Sequence, residues 1–276
     1  MRIKKKFNLI LATLSIFLLH SEESPVIKVE GGYRVGEFIG LKQNYDMIRM
    51  FIVTPKFIGK SKLFVDLNGY KLEENDLAVG VGAGIRLFTN KNKTRLFGCG
   101  LFYDYRTTCL NDVKQIGVVL ESLGERVDYR LNIYIPVNEK VKLSRQNIFD
   151  NYTGGYHATC QHEELSFTGA NFTFGFYILQ KYFQSFYCAV GPYYYFNNKT
   201  NSIFGNQILL KLNCLKNLYF EINVSNDCIY KTHAQCGVTL SFPFGKLFNE
   251  NKAITKSVLR NGVPFTKNCN RWTWNW

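Results

Sequence analysis

The segment from Arg126 to Pro136 changes character at every residue, and this alternation constrains the fold more than any other feature of the chain. Its apolar and aromatic positions are Val127, Tyr129, Leu131, Ile133 and Ile135, and its polar positions are Arg126, Asp128, Arg130, Asn132 and Tyr134. Successive side chains of a β-strand point to opposite faces, so the segment is predicted to be a strand with one apolar and one charged face. The same period returns along the chain and predicts a large sheet.

About twelve candidate strands follow this period, and an even number is typical of single-chain bacterial barrels. They cover approximately residues 32 to 42, 47 to 54, 62 to 70, 76 to 88, 94 to 106, 113 to 122, 125 to 136, 164 to 178, 185 to 196, 204 to 213, 218 to 225 and 233 to 242. Most have the roughly 9 to 11 residues that a tilted strand needs to cross a bilayer. We therefore expect an all-β fold, a transmembrane antiparallel β-barrel of about 12 strands, in the bacterial outer membrane.

The parity of the strands predicts which side chains meet lipid and which meet the lumen. The expected lipid-facing residues are Leu77, Val79, Val81, Ile85, Tyr103, Tyr105, Tyr129, Leu131 and Ile133. The expected lumen-facing residues are Arg86, Asp104, Arg106, Glu121, Arg126, Asp128 and Arg130. Charges of both signs can pair in a hydrated lumen and avoid lipid, where Lys or Arg at the midplane costs roughly 2–4 kcal/mol. The alternative is a soluble sandwich that buries the apolar faces of a dozen strands in one core.

Three glycines, Gly80, Gly82 and Gly84, share the inner face of the fourth candidate strand. Glycine weakens a strand unless something approaches closely there. The row predicts space for large side chains from opposite strands or for a segment that threads the lumen.

The N-terminus has the form of an export signal. A cluster of basic residues at positions 2 to 6 precedes an apolar run from Leu9 to Leu19, which is too short for the roughly 20 residues of a membrane-spanning helix. We expect a signal peptide over residues 1–24, a barrel over 25–245 and a basic tail over 246–276. Cleavage is expected near residues 20 to 25, although the sequence has no small-x-small cleavage site there. The alternative is an uncleaved anchor.

The net charge of +13 falls to +9 (13 − 4) once Arg2, Lys4, Lys5 and Lys6 are removed with the signal. The remaining basic residues are scattered and the chain is expected to be exported, so nucleic acid is not an expected partner. The expected partner is membrane lipid, whose anionic headgroups attract each basic residue by about 1 kcal/mol.

The chain also carries eight cysteines, an even number that permits disulfides. Some of them lie inside apolar strands, where cysteine often acts as a small buried apolar side chain.

The tail ends in alternating aromatics, Trp272, Trp274 and Trp276. This ending resembles the signal by which the outer-membrane barrel assembly machinery, a second expected partner, recognises a final strand. The competing final strand is Val238–Phe244, and in that case the tail, with Arg260 and Phe265, lies in the periplasm or enters the pore as a plug.

Catalytic and metal sites are weakly indicated. His157, His162 and His233, with Ser166 or Asp150, supply groups for a hydrolase but have no diagnostic spacing. His157, Cys160 and His162 could ligate zinc but lack a second ligand pair. We therefore expect a monomer that has no enzyme activity and binds no metal or cofactor.

Several segments, in order, resemble the β-domain of inverse autotransporters of the intimin and invasin type: Asp76–Arg86, Phe97–Tyr105, Gly117–Glu121, Leu131–Pro136, Glu164–Gly175, Gly191–Tyr194 and Ser225–Asp227. The resemblance covers about residues 60 to 245 and implies a twelve-stranded outer-membrane barrel that exports its own C-terminal passenger. The 31 residues after position 245 are too few for an adhesive domain. The resemblance therefore implies a scaffold, restricted pore or surface structure. A diffusion porin is the alternative function, and an outer-membrane hydrolase ranks below the porin.

Overall fold

A computed structural model of the chain describes residues 25–39, 41–54, 61–73, 76–89, 94–108, 112–137, 141–149, 157–178, 185–215, 217–244 and 256–275. Fifteen strands are found in these ranges: β1 Val26–Gly36, β2 Tyr45–Val53, β3 Ser61–Leu72, β4 Leu77–Phe88, β5 Arg95–Thr107, β6 Asp112–Gly124, β7 Val127–Pro136, β8 Val141–Phe149, β9 His157–Ser166, β10 Thr168–Ile178, β11 Ser185–Asn197, β12 Thr200–Leu215, β13 Leu218–Asp227, β14 Lys231–Phe244 and β15 Thr266–Asn275. Within those residues, no helix is long and apolar enough to cross a membrane.

Twelve of the strands form a closed antiparallel barrel in the order β1-β14-β13-β12-β11-β10-β7-β6-β5-β4-β3-β2. The barrel closes where β14 pairs with β1, with Ile27 opposite Phe244 and Gly36 opposite Gln235. The predicted all-β barrel of twelve strands is confirmed. Closure leaves no free edge within the barrel, so each strand pairs on both sides.

The barrel is polar inside and apolar outside. On β5, Leu101 on the outer face is 62% exposed, whereas Asp104 on the inner face is 0% exposed. Val79 on the outer face of β4 is 53% exposed, and Arg86 on its inner face is 1% exposed. A water-soluble protein rarely exposes apolar surface as continuous as this, so the outer surface is suited to an apolar environment.

A second sheet has the order β15-β9-β8 and lies outside the closed ladder. The sequence predicts no strand between the candidate strands 125 to 136 and 164 to 178. This prediction is corrected, since β8 and most of β9 lie there. Their residues, VKLSRQNIF and HATCQHEELS, mix polar and apolar side chains without a sustained two-residue period. Periodicity is the main signal for a strand, so these two strands were missed.

The two ends of the barrel differ. Because the number of barrel strands is even, β1 begins and β14 finishes at one end, which we call the entry end. The opposite end, where β7 ends at Pro136 and β10 begins at Thr168, carries β8 and β9, and we call it the far end. A chain that continues beyond β14 therefore starts from the entry end.

Candidate functional site

Six of the seven side chains expected in the lumen are buried inside the barrel: Arg86, Asp104, Arg106, Glu121, Asp128 and Arg130. The prediction for Arg126 is corrected, because this residue lies in the bend between β6 and β7 and is exposed. Arg126 lies two residues before Asp128 and would share its face if both residues were in the strand. The alternation of faces does not extend into a turn.

The buried charges of β4 to β7 form ion pairs along the inner wall, between β4 and β6, within β7, and between β5 and the residue that precedes β4. Arg86 Nε donates to Glu121 Oε1 at 2.6 Å, and Arg130 Nη2 donates to Asp128 Oδ2 at 3.1 Å. Arg106 Nη2 lies 3.2 Å from Asp76 Oδ2. Removing one member of such a pair would leave a buried charge uncompensated. The charges are therefore part of a connected polar interior.

The residues expected to face lipid lie on the outer face of the barrel. Six of them are exposed: Leu77, Val79, Val81, Ile85, Tyr103 and Tyr129. The other three, Tyr105, Leu131 and Ile133, are partly exposed on the same face.

The inner glycines of β4 accommodate side chains from the neighbouring strand β5 and from β3. A Cβ atom at Gly82 would lie 2.1 Å from the ring of Phe102, and one at Gly80 would lie 2.7 Å from Asp104 Oδ1. At Gly84, a Cβ atom would lie 2.4 Å from Phe64 Cζ. Large side chains do require this space, but they come from strands close in the sheet and not from the opposite wall.

Residues 256–265 of the tail lie inside the barrel, and we call them the lumen segment. At the entry end, Lys256 Nζ donates to the carbonyl oxygen of Gly124 at 2.7 Å. At the far end, the ring of Phe265 packs on Phe167 with centroids 4.8 Å apart. Gly124 ends β6 and Phe167 precedes β10, at opposite ends of the barrel. The lumen segment therefore traverses the pore from the entry end to the far end.

Side chains of the barrel form hydrogen bonds with the backbone of the lumen segment. Arg49 Nη2 donates to the carbonyl oxygen of Val258 at 2.7 Å, and Asn132 Nδ2 donates to that of Leu259 at 3.2 Å. The amide of Asn261 donates to Tyr134 Oη at 2.9 Å, and Arg106 Nη1 donates to the carbonyl oxygen of Pro264 at 3.3 Å. An extended peptide with no strand partner needs such bonds, because buried backbone groups without a hydrogen bond are costly.

Arg260 anchors the middle of the segment. Its Nη1 donates to Asp104 Oδ2 at 2.9 Å, and its Nη2 donates to Asp104 Oδ1. Its guanidinium also lies 4.1 Å from the ring centroid of Phe102. The wall of the barrel thus neutralises the charge of Arg260 in the middle of the pore.

Lys256 forms a second ion pair with the wall, at the entry end. Its Nζ lies 3.0 Å from Asp128 Oδ1 and 4.1 Å from the ring centroid of Tyr177.

Apolar side chains hold the lumen segment at both ends. Val258 belongs to a buried cluster near the entry end, with Phe51, Val53, Phe64, Leu96, Phe102, Val119 and Leu123. Phe265 belongs to a cluster near the far end, with Ile39, Tyr134, Leu165, Phe167, Tyr193, Tyr195 and Ile203. The segment is thus fixed by an ion pair in its middle and by an apolar side chain toward each end.

Beyond the lumen segment the chain forms β15, which pairs with β9 outside the barrel. Thr266 lies opposite Ser166 and Asn275 opposite His157, so β15 runs away from the far end of the barrel. Trp272 is 52% exposed and packs on Phe149, and Trp274 lies opposite Ala158. Trp276 falls outside the described residues. The expectation that these tryptophans belong to a final barrel strand is corrected, because the strand that closes the barrel is β14, the competing candidate.

Of the residues considered for catalysis or zinc, His233 lies on β14, and the others that the structure describes lie on β9. His233 Nδ1 on β14 is 2.7 Å from Glu37 Oε2. His162 Nε2 on β9 is 4.0 Å from Cys160 Sγ and 3.4 Å from Asn147 Nδ2. Asp150 and the side chain of His157 fall outside the described residues. Among the residues whose side chains are described, no group of three or more His, Cys, Asp or Glu is arranged to hold a metal ion.

Six cysteines lie among the described side chains and are free: Cys99, Cys160, Cys188, Cys214, Cys228 and Cys236. Cys99 and Cys236 are exposed, and Cys160 is buried. The possibility of a disulfide that involves Cys109 or Cys269 lies outside the described side chains.

No protein-family model and no curated protein matches the sequence. Among solved structures, a chain from a study of the in-meso crystallization of membrane proteins is 13% identical with a TM-score of 0.62, over 88% of this chain and 100% of that chain. An outer membrane channel from Pseudomonas putida F1 is 10% identical with a TM-score of 0.47, over 80% and 95%. The KdgM porin is 10% identical with a TM-score of 0.42, over 78% and 99%. At these identities the likeness concerns the fold alone, and it is strongest for the first of the three.

Proposed function

We propose that the protein is a non-enzymatic, monomeric β-barrel of the bacterial outer membrane. In this proposal its own C-terminal segment closes the pore and carries the residues that follow to the cell surface. Membrane lipid covers the outer face, and the barrel assembly machinery inserts the chain. The protein then acts as a scaffold or surface structure of inverse-autotransporter type, with a restricted pore.

The observation that carries this proposal is the course of the lumen segment. It starts at the entry end with Lys256, pairs with β5 through Arg260 and reaches the far end with Phe265. A diffusion porin needs an open aqueous path, whereas this lumen holds a peptide with bonds to β2, β5 and β7. A closed pore with an exported C-terminal segment accounts for the arrangement better than a porin does.

The positions of the two ends also support an orientation of the barrel in the outer membrane. Outer-membrane barrels have short periplasmic turns and longer extracellular connections. The longest connection within the barrel, residues 137–167 between β7 and β10, is at the far end and contains β8 and β9. The far end therefore faces outward in our proposal, and β15 lies with β8 and β9 at the cell surface.

Single-channel conductance in planar bilayers tests the proposal. The full chain should show little or no steady conductance, and a variant that lacks residues 246–276 should show large, stable steps. A large constitutive conductance of the full chain would instead identify a diffusion porin. Equal low conductance of both proteins would reject the lumen segment as the closure.

A hydrolase remains the other class of function to test. Purified protein in detergent should release neither fatty acid nor peptide from lipid and protein substrates. Activity that disappears in His162→Ala or His233→Ala would contradict the non-enzymatic proposal.

A further inference from the structure

The lumen segment does not fill the pore completely. A cavity of about 410 Å³ remains beside it, lined by the segment and by residues of the barrel wall that include Leu209 on β12 and Glu221 on β13. Sites for small molecules typically have volumes of about 300–1,000 Å³. The cavity is thus large enough for a small ligand.

The charged side chains that line this cavity are mostly basic. Among the described residues, the acidic ones in the lining are Glu30 and Glu221, and the basic ones are Lys28, Arg34, Arg49, Arg106, Arg130, Lys211, Lys256 and Arg260. Other carboxylates that pair with this basic set are buried outside the lining: Asp66, Asp76, Asp104 and Asp128. A cleft lined by one sign of charge between walls of low dielectric constant concentrates counter-ions. The lining therefore favours an anion.

At one side of the cavity, four basic residues share three carboxylates, and we call these seven residues the cationic cluster. The basic residues are Lys28, Arg34, Arg49 and Lys211, and the carboxylates are Glu30, Asp66 and Glu221. Lys211 Nζ lies 2.8 Å from Glu221 Oε1, and Arg34 pairs with the other oxygen of Glu221. With all seven groups ionised, the cationic cluster carries one surplus positive charge.

The strand register explains how Arg34 reaches Glu221. On the inner wall Lys211 lies opposite Glu221, Glu221 lies opposite Gly237 on β14, and Gly237 lies opposite Arg34 on β1. A Cβ atom at Gly237 would lie 2.3 Å from Arg34 Cδ, so the glycine leaves space for the arginine to cross β14. Arg34 can therefore neutralise Glu221 by itself, and the charge of Lys211 is the surplus one.

Lys211 is also accessible from the cavity. Its side chain is 28% exposed, whereas that of Arg34 is 5% exposed. Its Nζ lies 4.5 Å from the ring centroid of Tyr219, which lines the same cavity. A charge inside a protein is costly unless a counter-charge accompanies it. An anion beside Lys211 would supply that counter-charge.

Apolar and aromatic side chains complete the lining, among them Ile39, Leu41, Tyr187, Leu209 and Tyr219. Such side chains provide contact area for the uncharged part of a ligand, and the few polar groups of a site fix its orientation. One surplus positive charge is balanced by one negative charge. We propose that the cavity binds a small organic anion with a single carboxylate, which Lys211 receives.

This inference rests on the proposed closed state, because the lumen segment forms one wall of the cavity. Isothermal titration of the full chain in detergent near neutral pH, with benzoate as the probe, tests it. Benzamide has the same ring without the charge, and inorganic phosphate has more charge without the ring. We expect saturable binding of benzoate and weaker binding of both comparators, after subtraction of titrations into detergent alone. Bilayer conductance of the same sample shows separately whether the pore is closed.

Two variants change the charge of the site in opposite directions. Lys211→Gln removes the surplus charge and leaves Glu221 paired with Arg34, so it should weaken benzoate binding by about tenfold or more, as expected for a lost hydrogen bond to a charged group. Glu221→Gln adds to the surplus and should strengthen benzoate binding. The matched control is Lys71→Gln, which removes an exposed lysine opposite Leu77 on the outer face and should leave binding unchanged.

The inference is overturned if a closed, folded sample shows no saturable heat with benzoate, or if benzamide binds as tightly. Tighter binding of phosphate would instead identify a site for multivalent anions. Unchanged benzoate binding in folded Lys211→Gln also overturns it, and if that variant does not fold, unchanged or weaker binding in Glu221→Gln does so. An open pore in the unmodified sample contradicts the proposed closure itself, and the site that depends on it.

Discussion

Arg260 of the lumen segment and Asp104 of β5 are 156 residues apart in sequence and share two hydrogen bonds in the middle of the barrel. The side chain of Arg260 is 3% exposed and that of Asp104 is 0% exposed. A planar guanidinium matches a carboxylate in this two-point arrangement, and Lys could not replace it. The pair thereby couples the tail to the wall of the pore.

Replacing Arg260 should release the lumen segment. Arg260→Met keeps the length of the side chain but leaves Asp104 buried without its partner, which typically costs about 3–5 kcal/mol. We expect frequent openings in single-channel recordings, which the unmodified chain should not show. The double variant Arg260→Met/Asp104→Asn removes both charges and should restore part of the closure. Unchanged conductance in Arg260→Met would show that the pair does not hold the segment.

Truncating Phe265 should loosen the far end of the segment. Phe265→Ala removes a ring that packs on Phe167 and Tyr195, and such a change in a buried cluster costs about 3–5 kcal/mol. We expect faster proteolysis of the tail in the purified protein. Trp272→Ala is the control, since Trp272 is 52% exposed beyond the barrel and should have a smaller effect. Equal proteolysis of the two variants would argue against the far-end cluster as an anchor.

The outer face can be tested at Leu101, which lies near the middle of β5 and is 62% exposed. In lipid, Leu101→Arg should cost roughly 2–4 kcal/mol and reduce insertion. Heat-modifiable gel mobility of the outer-membrane fraction measures this, and Leu101→Met should behave as the unmodified chain. If water surrounded this face, arginine would be harmless, so normal insertion of Leu101→Arg would contradict a lipid-covered surface.

A substitution at Gly82 tests whether the barrel needs the space beside the inner glycines of β4. A Cβ atom there would lie 2.1 Å from the ring of Phe102, and that ring also contacts the Arg260 guanidinium. Gly82→Val should therefore lower the melting temperature and increase channel openings. Ala83→Val changes the next residue, on the exposed outer face, and should do neither. Equal effects of the two substitutions would show that this inner space is not required.

The alternation of residues predicted the barrel well because the outer face of the strands is apolar and the inner face is polar. The paired charges on β5 to β7 followed from the same parity, and only Arg126, in a turn, departed from it. The sequence also left open a plug that includes Arg260 and Phe265.

What the sequence could not settle was the course of the tail. An extended segment inside a pore has mixed contacts, with Val258 among apolar residues, Arg260 on a carboxylate and Asn261 on a tyrosine, so it shows no period of its own. Strand β8 and most of β9 were missed for a related reason, and β15 was expected only as a possible final strand of the barrel. They pair with one another in a small sheet whose two faces do not differ consistently in polarity.

The side of the membrane reached by the C-terminus tests the central claim most directly. An epitope appended after Trp276 of the full chain, expressed in Gram-negative cells, can be probed with an antibody that does not cross the outer membrane. If the tail passes through the barrel, intact cells should bind the antibody, and an epitope placed before β1 should be detected only after permeabilisation. Detection of the C-terminal epitope only in permeabilised cells would contradict the threaded arrangement.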